Sequence, residues 1–115
     1  MGRRRKLPKI LTKSEQQLLI DQFNTRYDSS LRNLCMVRLM LDAGLRAGEV
    51  IAIKPEHLKM RSGKLIVREG EGAKDRTLWV SDDVLERIAE WLDRHPESPW
   101  LFPTRNGSQL ETRYL

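Results

Sequence analysis

The sequence predicts a mixed α+β fold, mostly helical, with one small antiparallel β-hairpin. Three observations predict it. Apolar residues recur at helical spacing after Thr12, after Ser30 and after Ser81. The period changes to a strand pattern on either side of "REGEGAKDR". The resulting order is helix, helix, short helix, hairpin, helix and an unfinished helix, which is the order of an α+β domain.

The chain has 115 residues, enough for one small domain with a real but not generous core. Charged residues make up 32%, above the usual quarter, so the surface is heavily charged. The net charge of +5 favours a polyanionic partner. The single cysteine, Cys35, cannot form an internal disulfide, and no Cys/His cluster offers a metal site. Neither metal nor cofactor is expected, and a reducing, cytoplasmic setting is. No apolar run is long enough to span a bilayer, so no membrane partner is expected. The basic N-terminus lacks the apolar region of a signal peptide.

Residues 1–11 read as a basic arm or linker. Arg3, Arg4, Arg5, Lys6 and Lys9 repel one another and Pro8 blocks a helix. Such an arm lies along phosphates or is a solvated tail. Thr12 and Glu15 then form a capping box, and Leu18, Leu19 and Phe23 continue a helix towards Arg26. Asp28, Ser29 or Ser30 caps a second helix, "LRNLCMVRLMLDAG", apolar nearly all round and therefore central. Its Cys35, Met36 and Met40 read as core packing. Gly44 ends it in the left-handed region.

"AGEVIAI" is a short third helix, stopped before Pro55. Leu65–Val67 and Thr77–Val80 are the strands of the hairpin. Ser81 caps a fourth helix, with Asp82 and Asp83 at its positive end. Its buried side is expected to be Val84, Leu85, Ile88, Ala89 and Leu92. "WLFPT" is extended, "RNG" is a turn, and "SQLETRYL" is expected to start another helix.

Two places invite chemistry. Arg46, in "GLRAGEV", stands where a buried helix meets a turn, and packing is expected to fix its stem. Glu49, three residues on, is expected to reach back and hold the guanidinium. The pair is either a local anchor for the turn or a preorganised fork for phosphate oxygens. The hairpin tip carries Lys74 and Arg76, which either enter a groove of DNA or are the ordinary charges of an exposed turn. "GEGAK" has neither dinucleotide nor P-loop spacing. His57 and His95 are isolated and read as surface or capping residues.

Taken in order, "LMLDAGLRAGEVIAIKPEHL", "GKLIVREGEGAKDRTLWV" and "LFPTRNG" resemble the catalytic domain of tyrosine recombinases, the phage-integrase and Xer-like family. The resemblance spans nearly the whole chain. It implies site-specific cleavage and rejoining of double-stranded DNA through a phosphotyrosine, without metal or nucleotide. It implies that Arg46 binds the scissile phosphate and that Glu49 supports it. The family's hairpin lysine, the general acid, falls on Glu71 here, and a carboxylate repels a phosphodiester. Lys74 matches a second lysine and is the candidate substitute. The arm residues Arg3, Arg4, Arg5 and Lys6, with Lys74 and Arg76, are the expected DNA contacts.

The family's HxxR box and tyrosine nucleophile have no counterpart in these residues. Tyr114 lies where the family has an ordinary helix, and Tyr27 sits in an interhelix turn. Residues 12–115 are accordingly expected to be the N-terminal portion of a catalytic domain, truncated and inactive alone. Expected protein partners are a second copy or a full-length recombinase, and the expected place is the nucleoid. The rival reading is a non-enzymatic DNA-binding or protein-interaction module acting as a regulator.

Overall fold

The computed structural model describes residues 12–68 and 75–111. The first helix, α1 (Lys13–Asp21), opens on the expected capping box. Thr12 Oγ1 accepts from the Glu15 N–H at 3.1 Å, and Glu15 Oε1 accepts from the Thr12 N–H at 2.9 Å. The helix stops short of Arg26. None of its residues is buried, so packing does not sustain it, and Asn24 Oδ1 captures the Arg26 N–H at 3.1 Å.

The central helix is α2 (Asp28–Ala43), with Leu31, Leu34, Cys35, Met36 and Leu39 buried. Its N-cap is Tyr27, not Asp28, Ser29 or Ser30, and no side chain caps it. Asp28 is drawn into the first turn, where a negative charge suits the helix dipole and Arg94 lies 3.5 Å away. Gly44 closes the helix at φ +73°, and its N–H donates to Met40 O at 3.1 Å. The apolar surface is narrower than expected. Arg38 and Asn33 are half-buried, and Asp42 is exposed.

A five-residue helix, α3 (Ala47–Ile51), follows and buries Val50 and Ile51. A 3-10 turn at Pro55–His57 comes next, where His57 Nδ1 accepts the Lys54 N–H at 3.1 Å. The sheet has three antiparallel strands in the order β1 (Leu58–Lys59), β2 (Lys64–Val67) and β3 (Arg76–Trp79). Two residues carry no readable period, so β1 was not legible as a strand. Register pairs Leu65 with Leu78 and Val67 with Arg76. Leu65 and Val67 point inward, as alternation requires. Gly63, at φ +82°, lets the β1–β2 turn approach β3's end: a Cβ there would meet Val80 O at 2.5 Å.

The last helix, α4 (Asp82–Leu92), begins after Ser81, whose side chain makes no capping bond. It buries Val84, Leu85, Ile88 and Trp91. Ala89 and Leu92, expected inside, are exposed. The inward face runs 84, 88, 91, and Trp91 fills it because its indole N–H finds Leu101 O at 2.7 Å. Leu101, Phe102 and Pro103 are buried beyond it, and the Leu101 N–H donates to Ile53 O at 2.9 Å. Gly107 turns the chain at φ +87°, and Pro103 bridges Gln109. That bridge holds Ser108–Glu111 out of the helix expected there; residues 112–115, Tyr114 included, lie outside the described residues.

Buried apolar side chains from α2, α3, the sheet, α4 and the 101–110 stretch form one cluster, with no buried polar or charged residue among the described ones. Among the described residues the exposed large apolar ones are Leu18, Tyr27, Trp79 and Leu92, carried by α1, the α1–α2 turn, β3 and α4. Among the described residues no helix is long and apolar enough to cross a membrane.

Candidate nucleic-acid interface

The C-terminal end of α2 positions Arg46. Gly44 turns the chain out of the helix, and buried Leu45 pins the link. Arg46 is then the N-cap of α3, in extended backbone. Its carbonyl accepts from the N–H groups of Glu49 and Val50, both at 3.0 Å. The side chain is exposed, not held by packing.

Glu49 does not hold the Arg46 guanidinium. Its Oε1 accepts the backbone N–H of Arg46 at 2.9 Å, and both carboxylate oxygens accept from Arg76 Nη2, at 3.1 and 3.0 Å. A carboxylate at the third position of a helix faces back onto the N-cap backbone, which leaves its remaining lone pairs for a partner from outside. That partner comes from the start of β3, 27 residues along the chain. The Glu49 side chain is 18% exposed and the Arg76 side chain 44%, so the pair is partly desolvated on one side only. Glu49 therefore fixes the backbone of Arg46 and ties it to the foot of the hairpin.

The hairpin foot has a second clamp, which sequence reasoning missed. Arg68 Nη1 donates to Asp75 Oδ2 at 2.8 Å. These residues stand one step beyond the Val67–Arg76 pair, so opposite charges face each other across the strands. The signal lay in the register, which the sequence does not display. The structure thus brings together Arg46, Glu49 and Arg76. Arg76 reaches that group already paired with a carboxylate. Glu71 and Lys74 at the hairpin tip, and Arg3, Arg4, Arg5 and Lys6 in the arm, lie outside the described residues.

The buried thiol of Cys35 takes no part. Its Sγ donates to Arg87 O at 3.3 Å, and burial pushes its pKa up to about 12. His95 Nε2 lies 2.7 Å from Trp100 O, a structural contact.

Residues 9–115 match the family model described as "Phage integrase family". The chain belongs to the phage integrase family. Similar members of that family include tyrosine recombinase XerA of Pyrococcus furiosus, 36% identical over 97 residues, covering 84% of this chain and 33% of the relative. Tyrosine recombinase XerD of Caulobacter vibrioides is 31% identical over 113 residues, covering 90% and 37%. The chain therefore spans about a third of the length of these phage-integrase relatives. Among solved structures, a XerA recombinase superposes with a TM-score of 0.81 at 21% identity, over 99% of this chain and 41% of that one. A XerH recombinase bound to its palindromic difH substrate gives 0.76 at 24% identity, over 96% and 34%. The family fold is thus shared by the mixed helical and three-stranded arrangement described above.

Proposed function

We propose that this chain binds double-stranded DNA through the face carrying Arg46 and the hairpin, as the N-terminal part of a recombinase catalytic domain. Arg46 contacts the scissile phosphate and offsets charge that builds up as the phosphodiester is attacked. Glu49 is a positioning residue: it fixes the backbone from which Arg46 projects and the strand from which the hairpin tip extends. The arm residues Arg3, Arg4, Arg5 and Lys6, with Lys74 and Arg76, add contacts to the sugar–phosphate backbone without reading sequence. Lys74 is the only lysine in the hairpin tip and stands in for the position occupied by Glu71.

The observation that carries this reading is the Glu49 carboxylate, which joins the Arg46 N–H to the Arg76 guanidinium and brings the hairpin foot beside the arginine. Relatives of this fold include a XerH recombinase bound to difH and an integrase of the Tn1549 transposon in complex with DNA, which supports DNA as the partner. A polypeptide of these 115 residues holds no HxxR box, so it binds DNA and does not cut it; a full-length recombinase would supply the missing boxes. DNA binding would hold the chain at the nucleoid.

The test is binding of the full chain to unrelated duplexes across a salt series, alongside covalent trapping on a nicked duplex. The reading expects micromolar-range, sequence-tolerant binding that falls steeply with salt, and no adduct. Absence of binding at low salt sinks the DNA assignment, and an adduct on Tyr114 sinks the claim that these residues cannot cut.

A further inference from the structure

The far end of α2 carries a second concentration of positive charge that the reading above does not use. A groove of about 490 Å³ opens there, lined by Arg26, Arg32, Arg94 and Arg105, with Asp28 as the one acidic residue among the described residues of its wall. The four arginines come from four places: the α1–α2 turn, the first turns of α2, the turn after α4, and the Arg105–Gly107 turn. Helix α2 has 16 residues, so the groove lies roughly 24 Å along it from the Arg46 end.

Two of the guanidiniums are fixed by backbone carbonyls. Arg32 Nη1 donates to Pro103 O at 3.1 Å, while its Nε and Nη2 reach Asn33 Oδ1 at 3.0 and 2.9 Å. Arg94 Nη1 donates to Thr25 O at 2.7 Å and lies 3.5 Å from Asp28 Oδ1. Arg26 and Arg105 make no side-chain hydrogen bond or ion pair with the described residues. Burial pulls the Arg32 pKa down, since its surroundings take solvent away and set no carboxylate against it. Asp28, Ser29 and Ser30 line the same wall, at the start of α2, where no side chain caps the helix.

We propose that this groove is a phosphate-binding site, separate from the Arg46 face, taking a phosphate of a polynucleotide backbone or a free phosphate. Planar guanidiniums held at fixed angles match the oxygens of phosphate. Two remain to close on the ligand while two are already in place, so little order has to be imposed on binding. Four positive charges against one carboxylate favour an anion of more than one negative charge or a repeated anion. The exposed ring of Tyr27 at the rim offers a surface for a sugar or base.

The test uses the whole 115-residue chain and amide NMR. It is titrated in separate arms with inorganic phosphate, with a short duplex at low salt, and with a glutamate-rich peptide. Expected are shifts at the Asp28, Ser29 and Ser30 amides with phosphate, with duplex, or with both; the two arms tell free phosphate from backbone phosphate. Arg26→Ala combined with Arg105→Ala weakens that response roughly tenfold. Asp28→Asn strengthens it about threefold, a gain that a damaged fold cannot produce. Arg46→Ala leaves the response to inorganic phosphate unchanged, so the groove and the Arg46 face fail or stand separately. No shift at these amides in the phosphate and duplex arms overturns the proposal, as does a response to the acidic peptide alone.

Discussion

The two ends of α2 handle charge in opposite ways. At its C-terminal end two arginines and a glutamate are tied into one unit: Glu49 accepts the backbone of Arg46 and the side chain of Arg76. Positive charge there also meets the negative end of the helix dipole. At the N-terminal end four arginines meet the positive end of that dipole, and among the described residues the only acid in the groove wall is Asp28. Arg32 and Arg94 lean on the carbonyls of Pro103 and Thr25, and Arg94 alone also lies near a carboxylate, that of Asp28. One helix thus has a relieved end and an unrelieved end. At the first end the added cation is balanced nearby by Glu49; at the second, Asp28 offsets only part of the charge of the four arginines.

Between the ends lies a shared core, and the largest effects come from breaking both ends at once. Leu39, 1% exposed on α2, is replaced by alanine at a cost of about 2–5 kcal/mol. Urea unfolding should show that loss, and both ends should lose ligand binding together. Alkaline pH acts through the same middle. The Cys35 thiol rises from 9.0 to about 12 in the folded chain. Below pH 9 both states keep the proton and nothing is lost. Above it the unfolded thiol ionises while the buried one does not, so stability falls by up to about 1.4 kcal/mol per pH unit towards pH 12. Unfolding midpoints of Cys35→Ala, compared with the parent from pH 8 to 11, should lack that component.

Smaller changes separate the ends. Gly44→Ala forces a side chain into the left-handed region and costs about 1–2 kcal/mol, although nothing lies within 4 Å of the new Cβ. Because the strain sits beside Arg46, calorimetry should register it while the N-terminal groove keeps its affinity. Glu49→Ala removes one half of the α3 cap and an ion pair whose arginine is 44% exposed, so the loss is only about 1 kcal/mol. Its clearer sign is hydrogen exchange: the Arg46 amide should lose protection, and the β3 amides should follow.

The C-terminal end was the more legible of the two because its parts are close in sequence. Gly44, Arg46 and Glu49 fall within six residues, and glycine and capping chemistry act at that range. What escaped was the destination of the Glu49 carboxylate. Its partner Arg76 arrives through strand pairing, so the guanidinium of Arg46 was assigned a contact that its backbone makes instead. Arg68 and Asp75 escaped for the same reason, as did the two-residue strand β1. The N-terminal groove was illegible altogether, since four segments separated by up to 79 positions meet there (Arg26 to Arg105). Periodicity placed most of α4's inward face yet chose Leu92 over Trp91. A hydropathy pattern does not foresee that an indole can be buried once Leu101 O accepts its proton.

The central claim is that Arg46 is a phosphate contact presented by the fold and not a strut of it. A salt series of duplex binding, run on the full chain and on Arg46→Ala with unfolding followed in parallel, tests that most directly. The account predicts that the variant unfolds within about 0.5 kcal/mol of the parent, and that the slope of log affinity against log salt becomes shallower by about 1. An unchanged slope, or a variant that loses its fold, contradicts it.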